Sequence, residues 1–289
     1  MNCPRALVLF LVLLFSAEVA VLHADDEQDS LKVMTYNVRY ASDTPPNAWG
    51  ERLPVALAML AEQQPDVIGT QETQYRQAKD FASHLEGYDW IGLGREGGSR
   101  GEFMAMYYRT ERLEPLEFDH FWLSDTPDRI GSTTWGNSNR RMVTWVRFRD
   151  RATKREFYCF NTHFDHEIQL AREKSAALLW ERIQALNTKL PVIVLGDFNA
   201  VAQHNVAYDL LVGDDKLTDA WLAAADRGPL FATFHGYHRP QPDGSRIDWI
   251  LTRGPVRCER ADIITFERDG QYPSDHFPVT AQLRFDPAN

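Results

Sequence analysis

Cysteine is scarce in this chain: there are three in 289 residues, Cys3, Cys159 and Cys258. So few exclude a fold stapled by a disulfide framework and a zinc site built from clustered thiolates. Long apolar runs are also missing beyond the first two dozen residues, so no later segment is long enough to span a bilayer as a helix. No linker, repeat array or low-complexity tract interrupts the rest, which therefore reads as one domain. Positive charge is in deficit, with 31 Lys and Arg against 41 Asp and Glu and a formal net charge of −10. Such a surface repels polyanions and argues against a tight, processive nuclease, although a bound metal would supply local positive charge that a whole-chain count ignores.

What is present begins with a distinctive first segment. Arg5 precedes an apolar run from Ala6 to Phe15, continued less purely to Leu22, and the small residue Ala24 is followed by Asp25 and Asp26. Residues 1–24 are therefore expected to be a signal peptide, with an uncleaved membrane anchor as the alternative. Residues 25–289 form the expected catalytic domain, secreted or periplasmic, with no stable membrane insertion after cleavage. Cys3 would leave with the signal. Cys159 and Cys258 sit in the strand-like runs FYCF and VRCER, where a free buried thiol and a bridge are both open.

From Leu31 onward, short β-like runs alternate with amphipathic ones. LKVMTYN reads as a buried strand, RLPVALAMLAEQQ as a helix with Pro54 near its start, DVIGTQE as a strand and QYRQAKDFASHL as a helix. The strands YDWIGLG, EFMAMYYR and EPLEFDHFWLS follow, and then a long polar loop from Ser124 to Arg140 that is a candidate substrate-facing segment. The second half repeats the plan with RMVTWVRF, EFYCFNTHF, a helix from about Glu167 to Leu186, VIVLGDF, RIDWIL and FPVTAQLRF. Two such halves predict an α/β fold, a four-layered sandwich of two packed mixed sheets flanked by helices.

Polar residues recur where these apolar strands end, the place where layered α/β folds gather ligand-binding groups. They are Asn37, Glu72, His163, Asp197 with Asn199, Asp248, and Asp275 with His276. Singly, Asn37 or Glu72 could cap a turn or helix, and Asp165 could cap the helix that follows it. GDFN and SDHF resist that reading, because burying a carboxylate beside an amide or imidazole is costly without a partner. Carboxylate and amide oxygens are hard ligands suited to magnesium or manganese.

Taken in order across the chain, TYN, QE, NTHFD, GDFN, RID and SDH resemble the endonuclease/exonuclease/phosphatase superfamily. GEFMAMYYR, FWLSDTP and RRMVTWVRF resemble an exported bacterial branch of it. The resemblance implies metal-dependent attack of water on phosphorus, with Mg2+ or Mn2+ as cofactor. Glu72 is then the principal metal ligand, with Asn37 and Asp275 nearby. Asp197 orients or deprotonates the water, Asn199 holds it in line, His276 contacts the phosphate, Asp248 pairs with His276, and His163 is a second phosphate donor or acid. Arg39 stands where repair endonucleases of the family carry an acid, and either grips a phosphate oxygen or ends a strand in solvent. Arg141, or Arg140 in its place, is a second candidate clamp. Trp135 in the polar loop is the expected aromatic substrate contact, while Trp145 belongs to the core. His235 and His238 are expected to be exposed loop residues. The implied substrate is a phosphorylated small molecule or head group, with nucleic acid as the runner-up, and a non-catalytic phosphoryl-binding protein as the reading from a different class.

Overall fold

The computed structural model describes residues 30–286, so the expected signal peptide and Cys3 lie outside the described residues. The first half contains β1 (Ser30–Asn37), α1 (Trp49–Gln63), β2 (Val67–Gln71), β3 (Thr73–Gln74), α2 (Tyr75–His84), β4 (Tyr88–Ile91), β5 (Glu102–Phe103) and β6 (Met106–Arg109). Then come β7 (Leu113–Trp122), β8 (Met142–Asp150), β9 (Glu156–His163), α3 (Gln169–Ala185), β10 (Val192–Asp197) and α4 (Val206–Leu211). The chain finishes with β11 (Thr218–Asp219), α5 (Ala220–Ala223), β12 (Asp226–Arg227), β13 (Asp248–Arg253), β14 (Val256–Ile263) and β15 (Val279–Phe285). Among the described residues no helix is long and apolar enough to cross a membrane.

One large sheet runs β12-β14-β15-β1-β2-β6-β4, a second runs β11-β13-β10-β9-β8-β7, and β3 and β5 form a separate two-stranded pair. Each large sheet has a parallel pair at its heart, β1 with β2 and β9 with β10, bordered by antiparallel strands. Parallel neighbours need a crossover, and α1 and α3 supply the two. These two units are the repeated halves expected from the sequence.

Side chains alternate across a strand, so every strand of the two pairs feeds two apolar layers. In β1, Leu31 and Val33 enter the layer between the sheets, while Met34 and Tyr36 pack with Ala56 and Met59 of α1 and Phe81 of α2. In β10, Ile193 and Leu195 face inward, and Val192 and Val194 pack with Leu179 and Ile183 of α3. Three apolar layers between four structural ones make the expected four-layered α/β sandwich. Cys159 and Cys258 join the layer between the sheets, both as free thiols, and burial raises the pKa of each.

A polar contact locks the sheets together inside this apolar layer. Asn161 of β9 donates its amide to the carbonyls of Thr70 and Ala105 in the opposite sheet, each at 2.9 Å, and accepts from Gln71 Nε2 at 2.7 Å. The approach requires Gly69, because a Cβ there would lie 2.9 Å from Asn161 Cγ. An unmet buried hydrogen-bonding group costs about 1–3 kcal/mol. Asn161→Leu, which strands several partners at once, is therefore expected to lower the unfolding free energy by about 2–3 kcal/mol in urea titration.

Candidate active site

The inward rows turn polar at one edge of the sandwich. Leu31 and Val33 lead to Asn37 in β1, Phe157 and Cys159 to Asn161 and His163 in β9, and Ile193 and Leu195 to Asp197 in β10. Register sets Asn37 beside Gln71, and Asp197 between His163 and Asp248, the first residue of β13. The carboxyl ends of both parallel pairs thus open into one cleft of about 480 Å³.

Three residues just beyond the strand ends, Arg39, Glu72 and Asn199, have φ of 55°, 59° and 47°. Left-handed backbone at a non-glycine residue costs on the order of 1 kcal/mol or more, and such residues concentrate at functional sites. At Glu72 it breaks the strand alternation, and the carboxylate accepts from Asn37 Nδ2 at 3.0 Å and from the Tyr40 N–H at 3.1 Å. The same Asn37 amide donates to Asp197 Oδ2 at 2.9 Å and so spans the two sheets. Asp197 Oδ1 accepts the Asn199 N–H at 2.9 Å.

The two histidines are in opposite states. His276 Nδ1 lies 3.0 Å from Asp248 Oδ2, with Nε2 3.8 Å from Asp197 Oδ2. Burial alone would lower its pKa, but Asp248 and then Asp197 outweigh it and carry it up to about 10, so the ring is cationic at neutral pH. Burial, followed by the charge of Arg141, holds His163 well below the usual histidine range, and it is neutral. Asn199 Nδ2 donates to the Phe164 carbonyl at 3.1 Å and lies 2.9 Å from His163 Nε2.

The carboxylates show a shortage of positive charge. Asp197 is raised by burial and then by Asp248, and Asp275 is raised by burial with Glu72 adding to it. Glu72 is lowered despite its burial, by Asn37, His276 and Arg39, and remains ionised. Clustered carboxylate oxygens of this kind fit a divalent cation such as Mg2+ or Mn2+. Ligand atoms of Asp197, Asp248 and His276 lie within 4.8 Å of one another. There, however, Asp248 already occupies Nδ1 of His276, whereas Glu72 and Asp275 offer carboxylate oxygens alone; the Asn37 oxygen accepts the Arg39 N–H at 2.9 Å, and its amide nitrogen faces Glu72 and Asp197.

Arg39 ends only partly in solvent, its side chain 38% exposed. Its guanidinium lies between Asp275 at 3.4 Å and Glu72 at 3.7 Å and rests on the Tyr40 ring. Arg141 is buried on the cleft wall, 3.0 Å from His166 Nδ1 and 3.6 Å from Asp165 Oδ2. Arg140 turns away to the Gly131 carbonyl and Glu96. Asp165 binds the N–H groups of Glu167 and Ile168, capping the turn before α3, which starts two residues later than expected.

Trp135 is not brought to the cleft. It packs in the α3 layer, its indole donates to Asp125 at 2.7 Å, and Lys174 lies over its ring. Trp145 packs on Tyr158 and Phe160 as expected. His238 is exposed, but His235 is buried and stacked on Phe277, its ring centroid 3.7 Å away, contrary to the expectation of an exposed loop.

Several cleft residues escaped the sequence reading: Arg95, Glu102, Asn139, His166 and Phe234. So did Arg52, a fully buried cation in α1. Its guanidinium donates to the carbonyls of Val38, Arg39 and Tyr40, and to those of Asn47 and Pro273. It therefore ties the segment after β1 to the segment carrying Asp275 and His276. Its signal lay in helical spacing, since Arg52 shares the buried stripe of Trp49, Ala56 and Met59.

An α/β sandwich whose strand ends gather acids, amides and histidines in one cleft is the fold of phosphoester hydrolases. The chain belongs to the Endonuclease/Exonuclease/phosphatase family, whose sequence model matches residues 34–276. A structure of a family protein from Bacteroides thetaiotaomicron superposes with a TM-score of 0.84 at 37% identity, covering 89% of this chain and 98% of that one. The mannosyl-6-phosphatase of Bacteroides thetaiotaomicron VPI-5482 superposes with a TM-score of 0.83 at 36% identity, covering 88% of this chain and all of that one, 100%. An uncharacterized protein of Acanthamoeba polyphaga mimivirus is 30% identical over 161 residues, which are 52% of this chain and 59% of that protein.

Two outcomes follow. Asp248→Asn removes the main partner that raises His276, so the imidazole titration seen by proton NMR moves down toward the ordinary histidine value of about 6.5. Arg52→Met leaves carbonyls of two site loops unpartnered and is expected to cost at least about 2 kcal/mol in thermal or urea unfolding.

Proposed function

We propose that this chain is a divalent-metal-dependent phosphatase of small, polar phosphate esters. The observation that carries the reading is the convergence on one cleft of Asp197 with Asn199, a cationic His276 and the guanidinium of Arg141. The mannosyl-6-phosphatase relative supports it, as does the net charge of −10, which disfavours a long polyanion. The segment over residues 1–24 reads as an export signal, which would put the activity in the periplasm or outside the cell.

Asp197, held above the usual carboxylate range, takes the proton of the attacking water, and Asn199 positions that water in line. The imidazolium of His276, oriented by Asp248, donates to a phosphoryl oxygen as negative charge gathers there. His163 uses Nε2 as the acceptor that orients the Asn199 amide. Arg141 binds a second phosphoryl oxygen. A bound Mg2+ or Mn2+, held by Glu72 with Asn37 and Asp275, would neutralise charge on the phosphoryl group. Arg39 balances part of the charge of Glu72 and Asp275.

The test is hydrolysis of aryl phosphate mono- and diesters, sugar phosphates, nucleotides, phospholipid head-group esters and DNA, with magnesium, manganese or chelator. Turnover is expected on monoesters, is lost with chelator, and falls by about 10²–10⁴ in Asp197→Asn and His276→Ala. Preferred cleavage of DNA would replace the reading with a nuclease, and binding of phosphate esters by a folded protein without turnover would replace it with a non-catalytic binder.

A further inference from the structure

One part of the cleft carries groups to which the proposed chemistry gives no role. Glu102 opens β5 and pairs directly with Gln74 in β3, two residues past Glu72. The loop before it folds tightly at Gly94, where a Cβ would sit 2.1 Å from the Arg100 carbonyl oxygen. That fold turns Arg95 back on Glu102, with Nη1 2.6 Å from Oε2, while Nη2 donates to Asn139 Oδ1 at 3.2 Å. Carboxylate, guanidinium and amide thus form one fixed network on the cleft wall. At the lip, Phe234 is 53% exposed. An exposed phenylalanine is unremarkable alone, but this one forms a backbone bridge with His276, and its ring centroid lies 5.1 Å from the imidazole.

The combination discriminates among leaving groups. An acyl chain wants an apolar channel, and Phe234 and Ile247 are the apolar aliphatic or phenyl side chains lining this cleft. A nucleic acid strand wants a basic track. A sugar ring has an apolar C–H face and a rim of hydroxyls, and it matches an aromatic face beside a carboxylate, an amide and a guanidinium. Resting on the phosphatase reading, we propose that the leaving group is a monosaccharide. Its ring lies on Phe234, its hydroxyls donate to Glu102 and accept from Arg95, and the Asn139 amide contacts the same rim. Phe234 and Glu102 are then specificity-determining residues.

The test is steady-state kinetics of the full enzyme and its Phe234→Ala, Phe234→Leu and Glu102→Gln variants on hexose 6-phosphates, glycerol phosphate and a nucleoside monophosphate. In the wild type, kcat/KM is expected to be highest for a hexose phosphate. Phe234→Ala lowers kcat/KM on that substrate by at least about tenfold more than on glycerol phosphate, mainly through KM, and leucine does not restore it. Glu102→Gln alters the ranking of hexose epimers. Equal losses on both substrates, or a wild-type preference for the nucleotide, overturn the proposal. Calorimetry with a non-hydrolysable hexose phosphonate separates this inference from the catalytic one. Binding that weakens in Phe234→Ala sustains the sugar site even without turnover, and no binding by the wild type overturns it.

Discussion

The side-chain amide of Asn37 donates to a carboxylate from each of the facing sheets, Glu72 in its own and Asp197 in the other. One neutral donor thus serves both carboxylates without consuming a cation. The position of the amide follows from register, because Asn37 ends the inward row of β1 just where Asp197 ends that of β10. Beneath it, Asn161 fixes how far the sheets may slide past one another. The cleft is therefore a product of strand pairing and sheet packing, to which the loops add detail.

Charge is distributed with the same economy. The cation of Arg52 is buried among backbone carbonyls, so it ties two loops together without pairing with the acids of the cleft. Arg39 instead lies against Glu72 and Asp275 and takes up part of their charge. Within this acidic protein the cleft gathers Arg39, Arg95, Arg141 and His276.

The sandwich and the ends of its central strands were legible because both rest on local patterns: alternating apolar rows that stop at a polar residue, and helices between parallel strands. Asn37, His163, Asp197 and Asp248 follow from that pattern directly. Arg95, Glu102 and Phe234 did not, since each lies in a loop or a two-residue strand whose path depends on tertiary contacts. Trp135 was misplaced for the same reason: its loop folds back on α3, where Asp125 satisfies the indole and the ring gains burial. Arg39 was left between two readings, a phosphate grip and a strand end in solvent, and its pairing with Glu72 and Asp275, which is neither, depends on residues distant in the sequence.

Because the site residues are divided between two sheets, their spacing depends on the layer between those sheets staying dry and closed. Water entering that layer would separate Asn37 from Asp197 before either sheet lost its own hydrogen bonds. An intermediate with intact sheets but a loosened interior would thus keep its secondary structure and have no working cleft. Inactivation by heat would track the loss of tight interior packing, ahead of any melting of the strands themselves.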